Sequence, residues 1–469
     1  MMINIEKHLG NMKQVPPIYL DYNATTPVDQ EVIEAMDPYF RKHFGNPSSS
    51  HYYGSITRSA IEKARLQVAR LISAKPQEII FTSGGTESNN MAIQGIAFSK
   101  QDKGKHIITS AIEHPAVSEV CKYLEKFGFE ITWLPVDAYG LVDVEEVRQA
   151  IRRDTILISI MHANNEVGSI QPIREISKLA REHNIIMHSD CAQSLGKIAV
   201  SIDDLGVDLL SIAGHKLYAP KGVGALFIKE GISLQKIFHG ADHEQNNRPG
   251  TENVLEIVGL GQASEIAQRD LEVNMERMKV SRDLLESGLL DAFPDMRVNG
   301  HPEFRLVNTL NVSFRNLEAS SLLLAMDGVA ASAGAACHAD EVLVSPVLEA
   351  MNIPVEWAMG TIRFSTGKST KEKEIREATQ EIVKKVRQFL PDESMEISPE
   401  EIKGEIRLTQ YTHGLGCACK LRPQDLEQVL KSMPVPSGKN ILVGPETADD
   451  AAVYLINEEL ALVQTVDFF

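Results

Sequence analysis

The chain has 469 residues, 43% of them hydrophobic and 24% charged, and its 47 basic against 64 acidic side chains leave a net charge of −17. That acidity argues against non-specific binding to nucleic acid or to an anionic membrane, and no apolar run approaches the roughly 20 residues that span a bilayer. The opening Met1-Met-Ile-Asn-Ile-Glu-Lys-His8 lacks the basic-then-apolar pattern of a secretory signal.

Taken in order, Ile18-Tyr-Leu-Asp-Tyr-Asn-Ala-Thr25 reads as a strand entering a polar turn, and Phe44-Gly-Asn-Pro-Ser-Ser-Ser50 as a loop. Ala60, Ile61, Ala64, Val68, Leu71 and Ile72 recur at steps of three and four and predict a helix. Alternation follows. Strands are predicted over 78–82, 106–110, 155–161, 185–190, 209–212 and 224–228, and helices over 88–98, 116–127 and 173–183. Short apolar strands alternating with amphipathic helices predict a mostly parallel sheet covered on both faces. In such sheets ligands sit beyond the carboxyl ends of the strands. Thr86, His114, Asn165, Asp190, Gln193, His215 and Lys216 all fall there.

From about residue 263 the texture changes to a long helix over 263–290, then strands over 309–314 and 360–365. A capping-box pattern, Ser369-Thr-Lys-Glu372, precedes a helix that buries Ile375, Ala378, Ile382, Val386 and Phe389. The expected divisions are a large domain over 17–262, a smaller α+β domain over 263–390 that includes part of the N-terminus, an acidic linker over 391–405 and a separate segment over 406–469. Five cysteines (Cys121, Cys191, Cys337, Cys417 and Cys419) are few and odd in number, which favours a reducing cytoplasm over a disulfide framework.

Ser211-Ile-Ala-Gly-His-Lys216 places a lysine just beyond a strand end. A buried lysine loses its proton readily, so its amine can condense with a carbonyl; alone, a surface lysine is the better reading. Ser83-Gly-Gly-Thr-Glu-Ser88, between a strand and a helix, suits a phosphate, or is a plain glycine-rich turn. Asp190, 26 residues before Lys216, is placed to pair with a pyridinium or to cap a helix. His114 fits a ring-stacking role or that of a hydrogen-bonded loop histidine. Asn165 and Gln193 fit donors to a phenolic oxygen, or groups that satisfy the backbone. Together these are the parts a pyridoxal 5′-phosphate site requires.

Asp21-Tyr-Asn-Ala-Thr-Thr-Pro27, Phe81-Thr-Ser-Gly-Gly-Thr-Glu-Ser88, Glu113-His114, Met161-His-Ala-Asn-Asn-Glu166, Asp190-Cys-Ala-Gln193 and Gly214-His-Lys216 resemble the class V aminotransferase-like enzymes, and most closely the cysteine desulfurases, over roughly 17–390. The resemblance implies the α/β fold of pyridoxal phosphate enzymes of fold type I, in a homodimer with sites at the subunit interface. It implies that L-cysteine (or L-selenocysteine) is the substrate, and that its sulfur or selenium passes to an acceptor protein. It assigns Lys216 as the Schiff-base lysine, His114 as the stacking, proton-handling histidine and Asp190 as the pyridinium partner. Asn165 and Gln193 become ring-oxygen contacts. Gly85, Thr86 and His215 become phosphate contacts, with Thr251 a phosphate contact from the other subunit. Ala213 departs from the family, which usually has serine there.

Cys337 lies in Ala331-Ser-Ala-Gly-Ala-Ala-Cys-His338, a small-residue stretch expected to be mobile. The resemblance implies that its thiolate attacks the substrate sulfur and becomes a persulfide; without it, a small buried hydrophobe is the usual fate of a lone cysteine. The segment over 336–346 resembles the subclass with an extended cysteine loop. Arg363 matches the residue that pairs with the substrate carboxylate, and Asn46 is a further candidate for that task.

Residues 406–469 carry Arg407-Leu-Thr-Gln-Tyr-Thr-His-Gly-Leu-Gly-Cys-Ala-Cys-Lys420, Val443-Gly-Pro-Glu-Thr-Ala-Asp-Asp450 and Thr465-Val-Asp-Phe-Phe469. These resemble the N-terminal part of selenophosphate synthetase. That likeness implies Cys417 and Lys420 as a catalytic pair and Asp450 and Asp467 as magnesium ligands, with Mg2+ and ATP relevant only to a complete domain of that kind. Read without it, Cys417 and Cys419 are a redox or metal pair, and Asp449-Asp450 a solvated turn.

Overall fold

The computed structural model describes residues 16–338 and 341–390, of which 335–338 and 341–343 are described by backbone alone, and the backbone of 441–443, 451–457 and 460–465. The chain divides into two compact units, Met1–Arg387 and Gln388–Phe469.

The short strand β1 (Ile18–Tyr19) comes first. The central sheet contains β2 (Ile79–Thr82), β3 (His106–Ser110), β4 (Glu130–Leu134), β5 (Thr155–Ser159), β6 (Ile186–Asp190), β7 (Leu209–Ala213) and β8 (Gly224–Ile228), in the order β2-β8-β7-β6-β5-β3-β4. Neighbours from β7 to β4 are parallel, and only β8 runs against its two neighbours. Strands β2, β3, β5, β7 and β8 are buried at every position, as a sheet covered on both faces requires. Successive side chains point to opposite faces. Ile108, Ile158, Leu210 and Phe227 therefore enter one core, and Ile107, Leu157, Leu209 and Leu226 the other.

Several elements were not predicted, and four of them bear on the fold. Helix Gln30–Arg41 carries an internal proline, Pro38, yet is capped by Asp29 and buries Val32 and Met36. Helix Val144–Ala150 and strand β4 are short and largely solvent-facing, so their apolar pattern is weak. The fourth corrects the long helix expected over 263–290. Helix Val254–Arg269 ends at Asp270, whose backbone (φ −106°, ψ 11°) also opens helix Leu271–Ala292. The first of these packs on helix Tyr52–Leu71 so closely that a Cβ at Gly261 would meet Ala64 Cα at 2.6 Å.

The second sheet comprises β9 (Arg297–Asn299), β10 (Thr309–Ser313), β12 (Ser332–Ala333) and β15 (Thr361–Ser365), all antiparallel in the order β12-β15-β10-β9. Between β10 and β12, β11 (Val329–Ala330) pairs in parallel with β1, so the N-terminal strand joins the C-terminal part of this unit. The stretch that carries Cys337 contains a backbone hairpin, β13 (Ala335–His338) against β14 (Glu341–Val344), with Cys337 opposite Val342. Helix Glu372–Phe389 buries Ile375, Ala378, Ile382 and Val386 as predicted, while Phe389 is only half-buried. Only half of a capping box is present, two residues later than expected. Glu374 accepts the Lys371 N–H at 2.8 Å, whereas Ser369 is hydrogen-bonded to the Tyr22 hydroxyl at 3.1 Å.

In the second unit, β16 (Ile441–Val443), β17 (Ala451–Asn457) and β18 (Leu460–Thr465) form an antiparallel three-stranded sheet in that order. Among the described residues, no helix is long and apolar enough to cross a membrane.

Candidate active site

The predicted residues collect at the carboxyl edge of the central sheet. Strand β7 ends at Ala213 and tightens into a single turn, Gly214–Lys216. Gly214 is needed there, because a Cβ would strike the Val223 carbonyl at 2.8 Å. Lys216 Nζ donates to the Asn23 carbonyl at 2.5 Å and to the Ala24 carbonyl at 2.7 Å. Burial pushes its amine down to about 8 and the Arg363 charge acts in the same direction, with Asp21 and Asp190 opposing.

Asp190 ends β6 and is 7% exposed. Its Oδ2 accepts Asn89 Nδ2 at 2.7 Å, and its Oδ1 accepts the Ala192 N–H at 2.9 Å. A turn follows it rather than a helix, so the capping alternative does not apply. His114 caps helix Pro115–Glu125, with Nδ1 accepting the Ala116 N–H at 3.1 Å. Burial lowers its pKa, with Asp190 opposing; a neutral ring whose Nδ1 accepts carries its proton on Nε2. Beside it Glu113 is buried. Its Oε1 accepts Ser110 Oγ at 2.5 Å and the Met161 N–H at 2.9 Å, and burial pushes its carboxyl up to about 8.

The turn after β2 is shaped by Gly84, whose φ of +154° favours glycine. Helix Gly85–Lys100 starts there without a side-chain cap, so its first N–H groups lack intrahelical partners. Thr86 is exposed on this first turn. A Cβ at Gly85 would come within 3.1 Å of the Ala213 methyl, so the turn lies directly against the end of β7. Glu87 folds back to accept the Ser83 N–H at 2.6 Å and pairs with Arg248 at 2.9 Å. His215 Nδ1 lies 3.2 Å from Thr25 Oγ1, and burial, with Lys216 nearby, takes its pKa down to about 4.

Arg363, on β15, donates from Nη1 to the Asn165 carbonyl at 3.0 Å and from Nη2 to Asp21 Oδ1 at 2.7 Å and Ser332 Oγ at 2.9 Å. Its Nε is buried and has no hydrogen-bond partner among the described residues. The Asn165 side chain takes no part in the described hydrogen bonds, whereas Gln193 Nε2 donates to the Asn23 carbonyl at 3.0 Å. Just after the cysteine hairpin, Ser345 Oγ donates to Glu166 Oε2 at 2.6 Å. Two predicted residues stand apart. Asn46 is exposed, and its side chain accepts the Ser48 N–H at 2.9 Å. Thr251 is exposed, and no described hydrogen bond ties it to the others. Cys417, Lys420, Asp450 and Asp467 lie outside the described residues.

Sequence reasoning missed the residue that joins the site. Asn23, 1% exposed, bonds Ser365, Asn165, Thr309, Gln193, Lys197, Lys216 and Asn308. The signal was its place in the Asp21–Pro27 motif, which reads locally as a plain turn. Lys197, Asn89 and Asp21 were also missed.

The sequence model of the family described as aminotransferase class-V matches residues 18–377. The chain is 50% identical over 379 residues to the cysteine desulfurase IscS of Dictyoglomus turgidum, covering 80% of this chain and 96% of that one. It is 47% identical over 391 residues to the cysteine desulfurase IscS of Methanosarcina thermophila, covering 82% and 95%. The chain belongs to the cysteine desulfurases of the class V aminotransferase family. Among solved structures, a NifS-like protein superposes with a TM-score of 0.75 at 38% identity over 80% of this chain and all of that one, and SspA in complex with cysteine with 0.66 at 36% over 75% and 99%. The fold is therefore that of fold type I pyridoxal phosphate enzymes, and the function is pyridoxal phosphate-dependent cysteine desulfuration.

The residues fit that cofactor. An uncapped helix start at Gly84–Gly85 suits its phosphate, a lysine amine of lowered basicity its aldehyde, and a buried carboxylate at the end of β6 its ring nitrogen.

Proposed function

We propose that Lys216, Cys337 and His114 carry the desulfuration chemistry, with Gly85, Thr86, Asn165, Asp190, Gln193 and His215 holding pyridoxal phosphate, Thr251 completing the phosphate site from a second subunit, and Arg363, aided by Asn46, holding the substrate. The observation that supports this most directly is a dehydrated Lys216 amine close to an arginine with an unspent buried donor. Bound pyridoxal phosphate supplies an electron sink for the pair released at the substrate Cα. Lys216, whose basicity burial lowers, takes the Cα proton as the neutral amine. Asp190, acceptor-only when ionised, keeps a protonated ring nitrogen in place. Arg363 offers its guanidinium fork to the α-carboxylate. The Cys337 thiolate attacks the substrate sulfur: an S–S bond forms, the Cβ–S bond breaks, the electron pair left on Cβ is protonated, and a proton returns to Cα to give alanine. The persulfide sulfur then passes to an acceptor protein.

Lys216→Ala tests the assignment. The expected result is a folded protein with no lysine-linked cofactor absorbance and no alanine formed from cysteine; alanine at the wild-type rate would remove Lys216 from the reaction.

The homodimer belongs to this proposal. Phe40, Phe44, Tyr52 and Tyr53 are exposed, with Phe44 stacked on Tyr53 at 5.4 Å, and they supply an apolar patch for a second copy. So do the domain divisions at 262/263 and 390/391 and a cytoplasmic location, for which the buried, unbridged Cys121 and Cys191 speak. The reading of 406–469 as a selenophosphate synthetase-like fragment rests on its sequence motifs, with Cys417 and Lys420 as its reactive pair and Asp450 and Asp467 as its magnesium ligands. It favours a second reading in which selenocysteine is the substrate and selenium the cargo. Alanine release from cysteine and from selenocysteine, measured on the full chain and on one ended at Pro391, decides between the cargoes.

A further inference from the structure

One dehydrated amine is left unused by the reaction above. Lys197 is 4% exposed, and its Nζ donates to Gln193 Oε1 at 2.7 Å and to Asn23 Oδ1 at 2.9 Å. Neither partner is a carboxylate, and burial drives the amine well below the ordinary lysine value, with Lys216 and Arg363 acting in the same direction. Burying such a group without a counter-charge is costly. What it does for its two partners is specific.

An amide side chain presents a donor end and an acceptor end, and rotation exchanges them. Lys197 takes the oxygen end of both amides. On Gln193 this turns Nε2 away from Lys197 and onto the Asn23 carbonyl at 3.0 Å. On Asn23, Oδ1 also accepts Asn308 Nδ2 at 3.0 Å, and Nδ2 donates to Thr309 Oγ1 at 2.8 Å and to the Asn165 carbonyl at 3.2 Å. The Asn23 carbonyl that receives Gln193 is the one that receives the Lys216 amine.

We propose that Lys197 is a positioning residue that fixes the polarity of the Gln193 and Asn23 amides, so that Gln193 meets the cofactor's ring oxygen with N–H rather than C=O. This rests on the assignment of Gln193 as a ring-oxygen contact. The ring oxygen accepts hydrogen bonds; a reversed amide would set two acceptors against each other and lose the bond.

The test is pyridoxal phosphate titration of cofactor-stripped protein, followed by fluorescence and by the visible band of the bound cofactor, with thermal unfolding of each variant. Lys197→Met is expected to weaken binding about tenfold and to shift the band, yet to add less than about twofold in a Gln193→Ala background, because the two residues act in series. Lys197→Gln keeps an N–H donor and is expected to restore the wild-type band. Equal weakening in both backgrounds, or an unshifted band in Lys197→Met, overturns the proposal and leaves Lys197 a packing residue. Should Lys197→Met not fold, Lys197→Gln in the two backgrounds carries the test: a shifted band with equal weakening in both overturns the proposal. A wild-type protein that binds no pyridoxal phosphate overturns the underlying assignment as well.

Discussion

Arg363 donates to Asp21 across 2.7 Å, while its own Nε is buried with no hydrogen-bond partner among the described residues. Asp21 sits in the first motif of the chain and Arg363 on β15, and the pairing of β1 with β11 helps to bring these distant segments together. The guanidinium is thus held at both terminal nitrogens, in an orientation fixed by Asp21, Ser332 and the Asn165 carbonyl. Arg363→Lys keeps the charge but loses the planar fork. The expected outcome is a KM for cysteine raised about tenfold or more, with a smaller change in kcat, in steady-state alanine formation.

Cys337 is predicted to act after substrate binding. Cys337→Ala is expected to bind pyridoxal phosphate with an unchanged visible band but to form no alanine from cysteine. Product analysis after a single turnover checks this, and undiminished alanine would exclude the thiol as the acceptor of sulfur.

Behind the phosphate turn, Arg65 and Glu244 form a buried bidentate pair at 2.7 and 2.8 Å, and Glu244 also accepts the Phe81 N–H of β2 at 2.8 Å. The pair anchors three successive left-handed residues, Glu244, Gln245 and Asn246 (φ 45°, 54° and 66°), in the segment that leads to Arg248 and Thr251. Glu244→Gln leaves the buried Arg65 charge with only the exposed Glu62 at 3.3 Å, and the expected cost is about 3 kcal/mol of stability, seen as a lowered denaturant midpoint.

Glu113 gives stability a pH dependence of known sign. Its folded pKa of about 8 lies above the ordinary carboxyl value of 4.5, so the folded state holds a proton that the unfolded state has released. Its contribution is full below about 4.5 and is lost as pH rises through 8. In Glu113→Gln the side chain stays neutral, with Oε1 free to accept the Met161 N–H. The variant is expected to lose less stability than wild type between pH 5 and pH 8 in paired denaturant titrations, a comparison in which the other groups cancel.

Ala213 lies against Gly85, whose Cβ would stand only 3.1 Å from its methyl, so a hydroxyl added at 213 meets the phosphate turn. Ala213→Ser is expected to tighten pyridoxal phosphate binding about fivefold, one neutral hydrogen bond's worth, in equilibrium titration of the stripped protein.

The alternation of strand and helix was legible because apolar periodicity is local: Ile107 and Ile108, or Leu209 and Leu210, declare a two-faced strand within a few residues. The motifs at strand ends, with Lys216, Asp190 and His114 among them, were legible for the same reason, since a parallel sheet places every strand end on one edge. The break at Asp270 and the shifted cap at Lys371 were not, because each depends on which of several adequate local partners the packing selects.

By itself, the sequence determined the fold class and the family. The tertiary structure alone decided that Asn23 joins seven residues spread between Asn165 and Ser365, that Arg363 Nε has no partner among the described residues, and that Lys197 lies buried between two amides. Burial and hydrogen-bond partnership between residues hundreds of positions apart follow from long-range packing, and no local pattern of residues encodes them.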